Sequence, residues 1–261
     1  MMAQTQSRNG DAGVRRRLLA DDGTVLVAEH LPGSADVNRR LAIVVVHGFM
    51  AHSQHPRIRR IARRLSPRAG LVLLDLRGHG GSGGASTLGW QEARDVEAAV
   101  DWARTLGYRR VATLGFSLGA AVVLRHAAIY GGVDAIAAVS GPGQWYYRGT
   151  PRMRLLHHLV LRGSGRALIR LARRTKVSRD PWVPPLPIDP TAAAAEIAAP
   201  LLVVHGDRDD LFPVHHAELV SAAAGEWATL WVVPRFGHAE AAVDAALIDR
   251  IGEWLERACL R

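Results

Sequence analysis

The sequence predicts an α/β fold, in which a mostly parallel sheet of eight strands carries helices on both faces. Apolar segments with the length of strands alternate along the chain with segments of helical periodicity. Nearly continuous apolar runs are typical of parallel strands that are covered on both sides. The strands predicted in this way lie near residues 41–46, 71–76, 110–115, 134–140, 200–205 and 228–233. A hairpin formed by residues 17–20 and 25–28 precedes them.

A single domain accounts for most of the chain. At 261 residues and 48% hydrophobic composition, the chain can bury a large core, and α/β domains of this size often stay undivided. We expect this domain to span residues 14–261, after a polar and flexible tail at residues 1–13. The tail lacks the apolar core of a signal peptide, and no apolar run reaches membrane-spanning length. With Cys259 as the single cysteine, these features predict a cytoplasmic protein.

The net charge is strongly positive. A formal charge of +9 would ordinarily suggest nucleic acid as a partner. However, Lys176 is the only lysine, so almost all of the positive charge is carried by arginine. We interpret this bias as a feature of composition and expect no nucleic-acid partner.

Residues 115–119 read Gly-Phe-Ser-Leu-Gly and lie between an apolar run, residues 111–114, and a helix-prone segment that begins at Ala120. This order predicts a strand, a sharp turn and a helix, with Ser117 at the turn. Small residues two positions before and after the serine let the strand and the helix pass closely. The pattern therefore predicts an exposed nucleophilic serine.

A serine hydroxyl attacks at neutral pH only when a histidine takes its proton and an acid orients that histidine. Three aspartates, Asp207, Asp209 and Asp210, follow one predicted strand, and His238 follows the next. Each loop lies at the carboxyl end of its strand, where open α/β sheets place their sites. The alternative bases are histidines in or beside other predicted elements: His79, His205, His215 and His216.

These motifs, in the chain order Ser, Asp, His, resemble those of the α/β-hydrolases, from about residue 14 to the end of the chain. In that family the acid follows a His-Gly pair after two residues and precedes a proline by four. The resemblance therefore favours Asp209 as the acid, with Asp207 as the alternative, and His238 as the base. It also implies the fold of that family, with a helical lid inserted in the chain between two strands of the sheet.

Acyl transfer requires donors for the oxyanion, preferably backbone amides fixed in advance. One should be the N–H of Leu118, directly after Ser117 and at the start of a helix. The resemblance implies that the second is the N–H of Phe49, in the loop after the strand at 41–46. No cofactor or metal is expected, because no histidine or acidic cluster has metal-ligand spacing. The glycines at 78–84 lack the endings of phosphate-binding loops and are interpreted as structural.

The lid is expected at about residues 142–196, a connection too long for an ordinary loop. Ten of these residues are Arg or Lys and three are acidic. Leucines at helical spacing predict two amphipathic helices, whose apolar stripes either cover the sheet edge or line an acyl pocket. The basic rim either faces water or attracts an anionic substrate, an acyl carrier or a membrane surface, of which membrane contact is not favoured. The candidate pocket residues are Met50, Trp145, Tyr146, Leu156 and Leu211.

The predicted function is that of a serine hydrolase, which cleaves an ester or thioester of a small or acyl substrate through an acyl-enzyme. The same trio of residues also supports a carbon–carbon bond hydrolase or a cofactor-free haloperoxidase-like enzyme. A non-catalytic ligand-binding protein on this scaffold is a further alternative, because fold does not fix function. A binding protein would have no need of the serine, the acid and the histidine together, so their presence argues against this alternative.

Overall fold

The computed structural model describes residues 13–34, 39–179 and 187–260, so the predicted tail at residues 1–13 lies almost wholly outside the described residues. Eight strands form one sheet in the order β1-β2-β4-β3-β5-β6-β7-β8. The strands are β1 Val14–Leu19, β2 Val25–Leu31, β3 Leu41–Val46, β4 Gly70–Asp75, β5 Arg110–Phe116, β6 Ala135–Val139, β7 Leu201–Gly206 and β8 Ala228–Val233.

The sheet has the mostly parallel character that the sequence predicts. The first two strands are antiparallel to their neighbours, and the strands from β4 across to β8 pair in parallel. Strands β3, β4, β6 and β7 are buried along their whole length, which explains their continuous apolar sequences. Their carboxyl ends meet at one edge of the sheet, which is where the loops with the candidate residues begin.

Helices cover both faces of the sheet, and each face has its own apolar core. One core contains residues of α2, α3, α6 and α7, and the other contains residues of α1 and α9. None of the helices in the described part of the chain is long and apolar enough to cross a bilayer. The helices are α1 Pro56–Leu65, α2 Glu92–Thr105, α3 Leu118–Tyr130, α4 Pro151–Leu161, α5 Gly163–Arg173, α6 Pro190–Ala195, α7 His215–Ala224, α8 Ala239–Ala242 and α9 Ala245–Cys259.

Residues 142–196 connect β6 to β7, and we call them the insertion. Its first two helices, α4 and α5, lie where the leucine spacing predicts helices, and they pack against each other. A Thr150 cap starts α4, since its side chain accepts the N–H of Met153, and Pro151 occupies the first turn. The short α6 packs instead against α3 and α7 on the sheet domain.

The leucines of α4 and α5 are less buried than the sequence predicts. Val160 and Ile169 are buried, but the exposed fractions of Leu155, Leu168 and Leu171 are 59%, 57% and 83%. The expectation that the apolar stripes lie entirely against the sheet or a pocket is therefore wrong for these three residues. The reason is that α5 packs mainly against a single helix, and only Gly165 and Ile169 of α5 are buried. Two further members of the stripes, Leu156 and Leu159, are half-buried.

Candidate active site

Ser117 stands at the turn between β5 and α3. Its backbone φ is 53°, a left-handed value that is uncommon outside glycine, and its N–H donates to the Val139 carbonyl at 2.9 Å. Glycines flank the turn because the chain passes very close to itself. A Cβ on Gly119 would lie 2.4 Å from the carbonyl oxygen of Val46, and one on Gly115 would lie 2.2 Å from that of Gly119. The five-residue motif is therefore required by the shape of the turn.

A chain of hydrogen bonds links Ser117 to His238 and Asp209. Ser117 Oγ lies 2.8 Å from His238 Nε2, and His238 Nδ1 lies 2.7 Å from Asp209 Oδ2. These partners assign the tautomer, because a carboxylate only accepts: Nδ1–H donates to Asp209, and Nε2 accepts from the hydroxyl. The Asp209 side chain is fully buried, and its Oδ1 accepts the N–H groups of Leu211 and Phe212 at 2.9 and 3.0 Å. The structure thus brings together the three side chains that the sequence singles out.

The setting of Asp209 keeps its carboxyl ionised. Burial by itself would raise the pKa of Asp209, but the hydrogen bond and charge of His238, with the two backbone N–H groups, outweigh burial and lower that pKa. A charged carboxylate at Nδ1 stabilises the imidazolium form of the histidine. The arrangement can therefore take a proton from Ser117 and hold it on His238.

The competing aspartates are engaged elsewhere. Asp207 is exposed and accepts the N–H of Arg235 at 2.6 Å, which fixes the loop after β8. Asp210 is exposed and forms an ion pair with Arg152 of the insertion at 3.0 Å. Asp207 therefore holds a loop and Asp210 faces solvent, and in this structure neither contacts His238.

The competing histidines also have other partners. His205 Nε2–H donates to the Phe212 carbonyl at 2.8 Å, and His216 Nδ1 accepts the N–H of Gly143 at 3.1 Å. His215 is exposed on the first turn of α7. His79 is fully buried, and its Nδ1 lies 3.0 Å from the Arg77 carbonyl.

Both expected amide donors border the cavity that contains Ser117. Leu118 is the first residue of α3, where the N–H groups have no partner within the helix and the dipole is positive. Phe49 lies in the loop after β3 and lines the same cavity. The next residue, Met50, has a φ of 63°, so this loop is also held in an uncommon conformation.

His47 fixes the Phe49 loop through two hydrogen bonds. Its Nδ1–H donates to the Gly48 carbonyl at 2.8 Å, and its Nε2 accepts the N–H of Leu76 at 3.1 Å. Burial, with the nearby His79, lowers the pKa of His47 to about 3. The imidazole is therefore neutral and acts as a fixed structural bridge.

A cavity of about 240 Å³ lies over Ser117 and His238. Four of the five predicted pocket residues line it: Met50, Trp145, Leu156 and Leu211. Trp145 is fixed in place, since its Nε1–H donates to the Ile188 carbonyl at 2.7 Å. The walls are mostly apolar side chains, drawn from the Phe49 loop, the insertion and the loop after β7.

The prediction for Tyr146 is wrong, because this residue does not line the cavity. Its side chain is 56% exposed, and its ring lies edge-on to His157 with centroids 4.8 Å apart. Its neighbour Trp145 lines the cavity at this point of the chain, and so does His157, which the Tyr146 ring contacts.

Sequence reasoning missed several lining residues. Leu88 lies four residues beyond the glycines at 78–84, and Glu240 follows His238 by two residues. A helical spacing of Met153, Leu156 and Val160 was a usable signal for the face of α4 that lines the cavity. No sequence signal marked Arg57 or Glu240, which are polar and lie in elements that bury apolar residues elsewhere. The further members missed are Pro142, His157, Phe212 and Ala241.

The sequence matches the model of the alpha/beta hydrolase family over residues 43–250. The chain belongs to this family. Within it, this hydrolase resembles esterases and lipases. It is 30% identical to a monoacylglycerol lipase of Mycolicibacterium smegmatis, over an alignment that covers 91% of this chain and 92% of the lipase.

Solved structures show the same fold. An esterase from Pyrococcus furiosus superposes on the hydrolase with a TM-score of 0.76 at 20% identity, covering 99% of this chain and 96% of the esterase. An alpha/beta hydrolase from a Penicillium species superposes with a TM-score of 0.75 at 19% identity, covering 96% and 100% of the two chains. At these identities the likeness concerns the fold alone.

Proposed function

We propose that this hydrolase cleaves carboxylic esters through an acyl-enzyme formed on Ser117. The observation that carries the proposal is the hydrogen-bonded chain from Ser117 through His238 to Asp209, which lies against an apolar cavity. In the residues that the structure describes, no group of three or more His, Cys, Asp or Glu side chains could hold a metal ion. The proposed reaction uses only side chains and backbone amides of the chain.

In the first half of the reaction, Ser117 Oγ forms a bond to the ester carbonyl carbon while its proton passes to His238 Nε2. The carbonyl oxygen becomes an oxyanion, which accepts hydrogen bonds from the N–H groups of Phe49 and Leu118. The tetrahedral intermediate then breaks its bond to the alcohol oxygen, which takes the proton from Nε2. The alcohol leaves, and the acyl group remains on Ser117.

In the second half, water attacks the acyl carbon and gives its proton to Nε2. The bond to Ser117 Oγ then breaks, Oγ recovers the proton, and the carboxylic acid product departs. Asp209 stays ionised throughout and keeps Nδ1–H pointing toward itself, so that Nε2 always faces the reacting atoms. The lowered pKa of Asp209 supports this role.

The substrate that we propose is a neutral monoester with a short to medium acyl chain. The apolar wall formed by Met153, Leu156 and Val160 of α4 suits an acyl chain, and the cavity volume falls below the usual range of about 300–1,000 Å³ for drug-sized ligands. The similarity to a monoacylglycerol lipase supports an ester with a small polar alcohol. The buried carboxyl of Glu240 in the same cavity disfavours a negative charge close to Ser117.

One observation favours a second candidate, a thioester with an anionic carrier. Arg57 lines the cavity, and Arg173 of α5 lies close enough to His55 to lower the pKa of that histidine, although burial and Arg57 contribute more. These charges would attract phosphates outside the cavity while the acyl chain enters it.

A substrate panel tests the proposal. Hydrolysis of p-nitrophenyl acetate, butyrate, octanoate and laurate, of the matching 1-monoacylglycerols and of butyryl- and octanoyl-CoA would be compared at equal ionic strength. We expect kcat/KM to peak at the medium chains for neutral esters, and a fluorophosphonate probe to modify Ser117 and not Ser140, a buried serine that also has a positive φ. Turnover of the CoA thioesters alone would favour the second candidate. No turnover by any member, or labelling that survives Ser117→Ala, would overturn the proposed function.

A further inference from the structure

Glu240 is a buried carboxyl group in the wall of the active-site cavity, and the proposed reaction gives it no role. Its exposed fraction is 9%, and among the described lining residues it is the only acid. It follows His238 by two positions and lies in α8, which is firmly anchored: the N–H of Ala239 donates to Ser140 Oγ at 3.0 Å. Burying a carboxyl group is unfavourable unless it has specific partners.

The partner of Glu240 is the backbone of the Phe49 loop. Its carboxyl lies against Gly48, the residue directly before Phe49, and the backbone N–H of Gly48 acts to lower the pKa of that carboxyl. The two groups are in close contact, since a Cβ on Gly48 would lie 2.9 and 3.1 Å from the two carboxyl oxygens and 3.2 Å from the Ser117 Cβ. The Glu240 carboxyl therefore lies against the peptide that leads to the amide donor, beside the nucleophile.

Gly48 is fixed from both sides. Its carbonyl accepts from His47 Nδ1–H at 2.8 Å, and its backbone contacts the Glu240 carboxyl. Because the peptide unit is planar, the direction of the Gly48 carbonyl also sets the direction of the Phe49 N–H, which points the opposite way. A glycine has wide freedom in φ and ψ, so two clamps are needed to fix the peptides on either side of it. Glu240 supplies one clamp and His47 the other.

We propose that Glu240 is a positioning residue, which accepts a hydrogen bond from the Gly48 N–H and so holds the Gly48 peptide with the Phe49 N–H aimed at the oxyanion. The inference rests on the proposed function, because it assigns Glu240 a task in the same reaction. It also explains why an acid stands two residues after His238, since α8 then connects the loop of the base to the loop of the amide donor.

The electrostatic setting of Glu240 decides whether its charge or its ability to accept a hydrogen bond is useful for the reaction. Burial raises the pKa of its carboxyl, whereas its own N–H, the charges of His238 and Arg57 and the N–H of Gly48 act in the opposite direction. A negative charge beside the forming oxyanion would oppose the reaction, so acceptance of the Gly48 hydrogen bond is the useful property. A glutamine at this position can accept the same hydrogen bond without charge.

The test compares Glu240→Ala with Glu240→Gln. We expect the alanine variant to lose between about 10- and 100-fold in kcat, below the loss of about 10²–10³ for removing an oxyanion donor outright, with KM changed by less than about threefold. The glutamine variant should stay within about threefold of the wild type. The rate at which a fluorophosphonate modifies Ser117 should fall in the same ratio as kcat, because that reaction also develops negative charge on an oxygen.

Glu29→Ala is the matched control. Glu29 is a carboxyl that is 6% exposed and accepts from Gln54 and Arg59, outside the cavity. Its removal should lower the melting temperature and leave kcat within about twofold, which separates loss of a buried acid from loss of positioning.

Three results would overturn the inference while the wild type stays active. They are a Glu240→Ala variant with wild-type kcat, a Glu240→Gln variant as impaired as the alanine variant, and a loss confined to KM that depends on the alcohol of the ester. The last would make Glu240 a substrate-binding group. A wild type that hydrolyses no ester would instead reject the proposed function, and the labelling rates of the same variants would still decide the role of Glu240.

Discussion

The loops at the carboxyl ends of the strands and the insertion both contribute to one cavity, but they are built in opposite ways. At the carboxyl ends of the strands, Ser117, His238 and Asp209 are joined by hydrogen bonds of 2.7–2.8 Å, and each follows a strand of the sheet. In the insertion, α5 buries only Gly165 and Ile169 and leaves its other apolar residues exposed. The difference indicates that the sheet fixes the reacting atoms, whereas the insertion supplies a wall that can vary.

Charge shows the same contrast. In the sheet domain, the Arg77 side chain is 5% exposed and pairs with the fully buried Asp95 at 2.6 Å. In the described part of the insertion, Arg152 alone forms an ion pair, and its carboxylate partner Asp210 lies outside the insertion. Buried pairs have a defined geometry, while unpaired surface arginines contribute only a screened field. We therefore expect substitutions at the sheet edge to change kcat and those in the insertion to change selectivity.

The largest effect is expected at the acid. Asp209→Asn should lower kcat by about 10⁴-fold, because the amide no longer selects the required tautomer of His238. Asp207→Asn changes an acid two residues away that only fixes Arg235 N–H, and it should lower the melting temperature while kcat stays within about threefold. Steady-state kinetics with thermal melts of both variants would check this, and the reverse pattern would transfer the role to Asp207.

The next effect concerns stability. Ile61 of α1 is 1% exposed and belongs to the apolar core that α1 and α9 cover. Ile61→Ala should lower the free energy of unfolding by about 2–5 kcal/mol. Leu171 in α5 is 83% exposed, and Leu171→Ala should change the free energy of unfolding by less than about 0.5 kcal/mol. Urea unfolding measures both. A loss above about 2 kcal/mol for Leu171→Ala would mean that the outer face of α5 is covered in solution, and the contrast between the two regions would fail there.

A smaller effect should appear in chain-length selectivity. Val160 is buried and lines the cavity, so Val160→Trp should lower kcat/KM for p-nitrophenyl octanoate by about 10- to 100-fold and leave the acetate within about threefold. The adjacent Leu161 is 56% exposed, and Leu161→Trp is the control that should leave both esters unchanged. Equal losses for acetate and octanoate would show that the insertion also affects the chemical step.

The smallest effect concerns the basic surface of α5 and its C-terminal cap. Replacing Arg170, Arg173 and Arg174 with Gln should lower kcat/KM for an acyl-CoA a few-fold at low salt and leave a neutral ester unchanged, because salt screens attraction between exposed charges. The same change of charge at Arg15, Arg16 and Arg17, on exposed β1 at the far edge of the sheet, is the control. If both triple variants behave alike, the arginines of α5 act only through net charge.

Sequence patterns predicted the fold well because they reflect local and repetitive constraints. The strands predicted at 41–46 and 228–233 coincide with β3 and β8. The predictions for β4 to β7 differ at their ends by one residue, and those for the hairpin strands β1 and β2 differ by up to three. The prediction failed where burial depends on neighbours: Leu168 and Ile169 are equally apolar, yet one is exposed and the other buried. Helical spacing identifies a helix, but it does not say how much of the helix surface another element will cover.

The sequence by itself determined the turn at Ser117, because Gly115 and Gly119 belong to one five-residue motif, which can be recognised without the distant Val46 carbonyl that Gly119 approaches. Tertiary structure decided which aspartate meets His238, which residues form the cavity wall, and that the Glu240 carboxyl lies against Gly48. Those contacts join segments that the order of parallel strands brings to one edge of the sheet. A local motif is encoded by neighbouring residues, whereas a contact between distant loops exists only once the strands have been placed side by side.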